Sequence, residues 1–419
     1  MARPTVLLSL LLIAVPAFPA ARLTYSVNGN LVPVTWTSFP ISYAIDRHVA
    51  DAMPGGVPQI ERAVNEWTNV PGAQISFQDR GVVDGLKPGK DGQSSITLAD
   101  DLFANQGFLA LTTNWYDDAG HVIEADIQVD QQAIKGGYNL QQLVEHETGH
   151  LLGLDHSAVL TSVMYPWIGT GGVTTLDSDD RVAIATMYPK PAANPGATLE
   201  GRVTGDGGGI FAAQVVALSD SGEPVATALT DRDGNFILQG IPSGNYRVYA
   251  EPLDGPVNVA NLSGTWRTAK VTSFPTQFAD NGTSIRVESG KIYGNLNVNG
   301  AGVVQLNPKW IGACGVNATN VSLGAMPIVL RAGQTTTIAV GGDGFLSGVT
   351  TFEILNPGFK RVSDFKWSAN YVSATFEVLL NAPIGSVVVL AHSGNDSAAL
   401  TGALRVEPKP RTRAVVASK

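Results

Sequence analysis

Two histidines and a glutamate occur at a spacing that can build part of a zinc site. His146 and His150 are four residues apart, so on a helix both imidazoles project from the same face, with Glu147 alongside them. His156 follows soon after Gly153, a residue that can adopt the left-handed conformation that ends a helix and turns the chain back. Three neutral imidazoles leave the fourth tetrahedral position of zinc open, which is typical of a catalytic site. The sequence therefore predicts one catalytic zinc ion, bound by the three histidines.

The run from His146 to His156 has the spacing HExxHxxGxxH, and it is followed by the segment Ser-Val-Met-Tyr-Pro at residues 162–166. This combination resembles the metzincin metalloproteases, and the two segments together resemble their matrixin branch. The resemblance implies a zinc-dependent endopeptidase in which Glu147 acts as general base and acid. It also implies that the turn at Met164 forms an apolar floor under the metal.

The resemblance extends to the residues that would bind a peptide substrate. Residues 108–129 are predicted to form a hairpin, and in the family its first strand is the edge of the sheet beside the cleft. An edge strand offers unpaired N–H and C=O groups with which an extended peptide can pair. The alternative, that these side chains only pack the sheet, remains open. The substrate-binding residues implied by the resemblance are Leu109, Ala110, Leu111, Tyr165 and Pro166.

Two other interpretations of the motif remain open. A helix can carry such residues merely for solvation or core contacts, although the patterned positions and the following methionine argue against this. The chain can also be an adhesion or matrix-binding protein that uses an inactive metzincin domain as a scaffold, because over half of the mature chain lies outside the catalytic domain. Loss of cleavage on chelation and in Glu147→Ala would identify the protease, since the ligand binding of a scaffold survives that substitution.

The composition limits the function classes. The chain has 419 residues and a net charge of -9, which suits several domains and offers no basic patch for nucleic acid. Cys314 is the sole cysteine, so no intramolecular disulfide can form. No cysteine precedes the zinc motif, so the propeptide cysteine that holds many animal matrixins latent is absent.

Residues 1–20 have the pattern of a secretory signal peptide. Arg3 is followed by an apolar run from Val6 to Val15, and then by small residues and prolines. The apolar run is short for a membrane span, although a membrane anchor is the alternative. No later segment is long and apolar enough to cross a membrane. The mature protein is therefore expected to be secreted and soluble.

The elements predicted around the motif form an α+β domain over residues 21–192, with a mixed twisted sheet and three helices. One helix is predicted from the periodic apolar residues between Val57 and Trp67, and a second, with Asn139 as its N-cap, carries the zinc motif. The third follows the acidic segment 177–180. The order of strands and helices resembles that of matrixin catalytic domains.

Two all-β sandwich domains are predicted downstream. Residues 193–300 resemble a carboxypeptidase regulatory-like domain with an extension, on the segments 230–236 and 240–248. Residues 301–408 resemble an immunoglobulin-like domain of the IPT/TIG type, on the segment 332–345. Residues 409–419 are predicted to be a disordered tail.

Further cofactors and partners follow from the same patterns. Acidic turns at 117–118 and 177–180 leave calcium binding open, although caps and solvation also explain them. A second zinc is not predicted, because it would need several additional histidines ahead of the motif helix and only His48 and His121 occur there. The expected partner is a protein or peptide substrate, and an extracellular-matrix or cell-surface ligand for the downstream domains is left open.

Overall fold

The structure is a computed structural model that describes residues 21–409, except residues 28–29, 103, 105–106, 172–173, 303, 317 and 319. The predicted signal peptide and all but the first residue of the predicted tail lie outside the described residues. Three modules follow one another along the chain. This confirms the predicted fold class, an α+β domain followed by two β-sandwich domains.

The first module contains a mixed five-stranded sheet. The seven strands described in this module, of which β3 to β7 form the sheet, are β1 (Thr24–Val27), β2 (Asn30–Pro33), β3 (Ile41–Asp46), β4 (Phe77–Val83), β5 (Ser94–Ala99), β6 (Ala110–Tyr116) and β7 (Val122–Asp130). The order β4-β3-β5-β7-β6 is parallel except for β6, which pairs antiparallel with β7 and forms one edge. The hairpin and its position at the edge are therefore as predicted, while β1 and β2 form a separate antiparallel pair.

Five helices lie in the described part of this module: α1 (Arg47–Ala52), α2 (Gly56–Thr68), α3 (Gln131–Lys135), α4 (Leu140–Leu151) and α5 (Ser178–Met187). The three predicted helices are α2, α4 and α5. The short helices α1 and α3 were not predicted, because each buries a single residue and so leaves no periodic pattern. Each begins directly after a strand, where the carboxylate of Asp46 or Asp130 accepts hydrogen bonds from the first helical N–H groups.

The second module packs two sheets around an apolar core. Its strands are β8 (Ala197–Gly205), β9 (Gly208–Gly209), β10 (Gln214–Ser219), β11 (Pro224–Leu229), β12 (Asn235–Ile241), β13 (Gly244–Glu251), β14 (Gln277–Phe278), β15 (Ile285–Val287), β16 (Ile292–Tyr293) and β17 (Val298–Asn299). One sheet has the order β11-β10-β13-β14 with β15 also on β13, and the other is built around β8. The connection from β13 to β14 is long and contains the short 3-10 turns Val259–Asn261 and Trp266–Thr268.

The third module is a second sandwich. Its strands are β18 (Asn307–Cys314), β19 (Ile328–Arg331), β20 (Thr335–Asp343), β21 (Thr351–Ile354), β22 (Phe359–Arg361), β23 (Lys366–Trp367), β24 (Tyr371–Val378), β25 (Gly385–Ser393) and β26 (Asp396–Glu407). The two sheets have the orders β18-β20-β24-β22 and β19-β26-β25-β21. Cys314, at the end of β18, is partly buried.

The modules share apolar clusters. Leu160 and Tyr165 of the first module are buried in the core of the third module, and Val182 of α5 is buried in the core of the second. The second and third modules meet where Tyr249 and Val388 pack together, and both are fully buried. The zinc-motif module is therefore packed against both downstream modules.

Candidate metal centre

Helix α4 places two of the predicted ligands, and the turn after it returns the third. The Asn139 side chain caps the helix by accepting the N–H of Gln142 at 3.3 Å, as predicted. The helix ends before Gly153, whose φ of 96° is the left-handed conformation expected from the sequence. A Cβ at this position would collide with the backbone carbonyl of Val34, so the turn requires glycine.

The three histidines converge. The nearest ring nitrogens of His146, His150 and His156 all lie within 4.8 Å of one another. Among the residues that the structure describes, this is the one group of three or more His, Cys, Asp and Glu side chains close enough to hold a metal ion. His146 is 4% exposed, whereas the other two rings are half-buried and open toward solvent.

Hydrogen bonds fix which nitrogen of each ring faces the centre. Every Nδ1 lies close to a backbone carbonyl, which can only accept, so Nδ1 carries the proton and the Nε2 lone pair remains available to a metal. These bonds join His146 to Val163 at 2.6 Å, His150 to Leu154 at 2.8 Å and His156 to Asn261 at 2.5 Å. Burial lowers the pKa of His146 to about 3 and lowers that of His150 well below its usual value, so both rings are neutral. The residues present therefore fit a zinc ion.

The carboxylate of Glu147 is buried beside the histidines and is held by the edge strand. The hydroxyl of Thr112, on β6, donates to Glu147 Oε2 at 2.6 Å and also lies 3.0 Å from the Glu147 carbonyl. Burial raises the pKa of Glu147 to about 7, and the hydrogen bond from Thr112 opposes this shift. A carboxyl group with a pKa near neutrality can both accept and release a proton.

Met164 packs against the helix that carries His146 and His150, and its role as an apolar floor under the metal stays a prediction. It is 2% exposed and packs on Gly149, where a Cβ would meet its sulfur and its methyl group. The ring of Trp67 closes the same space from α2, and its Nε1 donates to the carbonyl of Glu145 at 2.9 Å. The helix and the methionine turn are thus in direct contact at a glycine of the motif.

The turn is held in place by an acidic residue of α5. Asp180 accepts from the hydroxyl of Ser162 at 2.5 Å and from the backbone N–H of Val163 at 2.9 Å. The same carboxylate accepts the N–H of Asp177 at 2.8 Å in the capping box of α5. Burial raises the pKa of Asp180 to about 7. The sequence indicated a capped helix here, but not that the capping residue Asp180 also fixes the methionine turn.

The predicted substrate residues fall into two groups. Leu109 and Leu111 are half-buried at the start of β6, and Ala110 is 9% exposed. The Leu109 carbonyl accepts the N–H of Asp130 at 2.9 Å, so this group is used within the sheet. The opposite side of β6 forms the edge of the sheet.

The second group lies at the junction with the third module. Tyr165 is 1% exposed, and its hydroxyl donates to the carbonyl of Ala325 at 2.7 Å. Pro166 is half-buried. A cavity of about 330 Å³ lies here, and its lining includes Tyr165, Trp167 and Ile168 from the first module and Met326, Pro327 and Val329 from the third.

In the acidic segments considered for calcium, the carboxylates of Asp117, Asp177 and Asp180 accept hydrogen bonds from the protein itself. Asp117 accepts the N–H groups of Ala119 and His121, both at 2.9 Å, within its own turn. Asp177 and Asp180 form the capping box of α5. In the described residues these groups act as caps, and calcium binding stays a prediction without a cluster to support it.

Comparisons with known proteins find similarity in the first two modules. Residues 35–189 match the family model of the matrixins, and residues 198–259 match that of the carboxypeptidase regulatory-like domain. Karilysin of Tannerella forsythia is 44% identical over 55 residues, which cover 13% of this chain and 11% of that protein. Interstitial collagenase of Sus scrofa is 30% identical over 171 residues, which cover 38% of this chain and 34% of that protein.

The similarity is confined to part of each protein, since the chain spans between about a tenth and a third of the length of these two curated relatives. Among solved structures, the major pilin subunit of Bacillus cereus is 13% identical and aligns over 51% of this chain and 69% of its own, with a TM-score of 0.16. That score is too low to carry an argument.

Proposed function

We propose that this chain, which contains a matrixin domain over residues 35–189 and a carboxypeptidase regulatory-like domain over residues 198–259, is a secreted zinc-dependent endopeptidase. The observation that carries the proposal is the convergence of three imidazoles, with the buried carboxylate of Glu147 beside them. Secretion is supported by the signal-peptide pattern of residues 1–20. In the described part of the chain, no helix combines the length and the apolar character needed to span a membrane.

Glu147 transfers the proton in the proposed reaction, and Thr112 orients its carboxylate. A bound zinc ion would supply Lewis acidity toward water and the scissile carbonyl. Glu147 takes the proton of the attacking water and delivers it to the leaving amine, which its near-neutral pKa allows in both directions. The Thr112 hydroxyl keeps this carboxylate in one orientation during both transfers.

The peptide substrate binds along the free edge of β6 as an additional strand and pairs with those backbone groups of Leu109, Ala110 and Leu111 that do not bond to β7. The Leu109 carbonyl is not among them, because it accepts the N–H of Asp130. The side chain after the scissile bond enters the space bordered by Tyr165 and Pro166. The cavity of about 330 Å³ supports the assignment of Tyr165, which lines it together with Trp167 and Ile168. Pro166 is assigned by the resemblance alone.

The test compares cleavage with metal binding in the full mature chain. Wild-type protein is incubated with casein and with an unbiased peptide library, before and after chelation and with zinc restored. Glu147→Gln should bind zinc as wild type does but lose at least about a hundredfold in kcat. Glu288→Gln, at an exposed position of the second module, should cleave normally.

Each outcome separates the hypotheses. Unimpaired cleavage by Glu147→Gln, or a wild-type chain that binds no zinc, would overturn the proposal. A wild-type chain that binds zinc but cleaves neither casein nor any library peptide would instead support the scaffold alternative, in which the downstream modules bind a matrix or cell-surface ligand.

A further inference from the structure

The third histidine of the centre is held by a loop of the second module. His156 Nδ1 donates to the carbonyl of Asn261 at 2.5 Å, across 105 residues of sequence. The other two histidines donate to carbonyls of the first module. One ligand of the three therefore depends on a neighbouring module for its orientation.

A second contact joins the same two segments. Asp155 Oδ2 accepts from both the backbone N–H and the hydroxyl of Ser263, at 2.8 and 2.7 Å. Its other oxygen accepts the N–H of His156 at 2.8 Å. Because Asp155 is 3% exposed, these hydrogen bonds are made away from solvent, where losing a partner is costly. The backbone that carries His156 is thus connected to the second module at two adjacent residues.

The carbonyl of Asn261 lies in a turn whose conformation is fixed by local hydrogen bonds. Asn258 and Asn261 cap the 3-10 turn Val259–Asn261: Asn258 Oδ1 accepts the N–H of Ala260 at 2.9 Å, and Asn261 Oδ1 accepts the N–H of Asn258 at 3.0 Å. The next residue, Leu262, is 4% exposed and packs in an apolar cluster with Trp266. The turn is therefore fixed by its own side chains and by burial before any metal is considered.

We propose that the loop 258–263 of the second module is a positioning element of the metal centre. The Asn261 carbonyl sets the tautomer and the ring orientation of His156, while Ser263 holds Asp155 and, through it, the backbone of His156. The inference rests on the proposed zinc-dependent function. It makes the second module part of the zinc site, whereas the sequence left open only an extracellular-matrix or cell-surface ligand for this module. Partners of this kind typically change metal affinity by about tenfold to a hundredfold when they are removed.

The test measures metal binding in the full mature chain. The zinc dissociation constant is measured by competition with a chromogenic chelator, and the visible spectrum of bound Co²⁺ reports the ligand geometry. Two variants are used: the double variant Asn258→Ala/Asn261→Ala, which removes the cap of the turn, and Ser263→Ala, which removes one donor to Asp155. The matched control is Thr268→Ala, whose exposed side chain donates to the carbonyl of Thr265 in the following turn of the same loop.

The double variant should bind zinc about tenfold to a hundredfold more weakly and should alter the Co²⁺ spectrum. Ser263→Ala should produce a smaller change in the same direction, and Thr268→Ala should match wild type. Wild-type affinity and spectrum in the double variant would overturn the proposal. If the double variant does not fold, as judged by thermal unfolding without metal, an unchanged Ser263→Ala overturns it instead. A wild-type chain that binds no zinc is a different result, because it rejects the proposed function itself.

Discussion

The sulfur of Met164 lies 2.2 Å from the position that a Cβ on Gly149 would occupy, which is too close for two atoms that are not bonded. A Cβ built on this glycine would also be 3.1 Å from the methyl carbon of Met164 and 3.0 Å from Cζ2 of Trp67, and both distances are shorter than ordinary contacts. The zinc-motif helix and the methionine turn therefore approach each other as closely as the absence of a side chain allows.

Gly149→Ala should destabilise the chain by about 1–3 kcal/mol, since the added methyl group overpacks this contact. Met164→Ala should cost about 2–5 kcal/mol because it leaves a cavity. In the double variant the small residue makes room for the added methyl, so the combined loss should be clearly less than the sum. Denaturant unfolding of the four proteins measures the coupling, and losses that simply add would show that the contact does not constrain the helix.

Thr112→Ala should lower kcat while leaving KM nearly unchanged, because the hydroxyl positions Glu147 and would not bind substrate. Hydrogen bonds to charged groups contribute about 1.5–3 kcal/mol, so a decrease of roughly tenfold to a hundredfold is expected. Thr112→Ser keeps the hydroxyl and should recover most of the rate. Thr113→Ala, the next residue of β6, is the control for general damage to the strand. A Thr112→Ser variant as slow as Thr112→Ala would argue against this role.

Asp180→Ala should loosen the methionine turn. The carboxylate accepts from Ser162, Val163 and Asp177, and an alanine side chain can accept none of these hydrogen bonds. Leaving such donors buried without a partner costs about 1–3 kcal/mol. The expected result is a lower unfolding temperature together with weaker zinc binding. Asp118→Ala, which removes a carboxylate at an exposed turn, should change neither quantity.

The convergence of the three histidines could be predicted because its geometry is local. The spacing of His146 and His150 on one helix, and the left-handed turn at Gly153, depend only on neighbouring residues. Thr112 and Asn261 could not be found in this way. They reach the site from 35 and 105 residues away, and no residue type at those positions signals the contact.

The same limit applies to Tyr165. The sequence placed it in a substrate pocket by resemblance, and it does line a cavity, but its ring is buried against the third module. Packing between modules depends on apolar surfaces that look like ordinary core in a single sequence. The sandwich modules themselves were predictable from alternating strands, whereas their contacts with the first module were not.

Glu251→Gln should change how stability depends on pH. Glu251 is 7% exposed between the second and third modules, where its Oε1 accepts from Gln214 and from Thr401, both at 2.6 Å. Burial raises the pKa of Glu251 from 4.5 to about 7. The folded chain therefore binds this proton more tightly than the unfolded chain does. As the pH rises from about 4.5 to 7, the free energy of unfolding falls by up to about 3 kcal/mol, because this advantage is lost.

Glutamine carries no charge and its carbonyl can still accept both hydrogen bonds. The stability of Glu251→Gln relative to wild type should therefore increase from pH 5 to pH 8, as measured by denaturant unfolding at each pH. Glu288→Gln, at an exposed position, serves as the control. A constant difference between Glu251→Gln and wild type across this range would contradict the prediction.

A chain that ends at residue 192 should be less stable than the full protein and should bind zinc more weakly. Without the downstream modules, the buried side chains of Leu160 and Tyr165 become exposed, and each fully buried side chain of this size contributes about 1.5–3 kcal/mol. Asp179 also loses two hydrogen bonds, which it accepts from the backbone N–H and the hydroxyl of Thr227 at 2.8 and 2.9 Å. Thermal unfolding and zinc competition on both chains measure the effect. An isolated domain with the unfolding temperature and zinc affinity of the full chain would show that the three modules are independent units, despite the contacts between them.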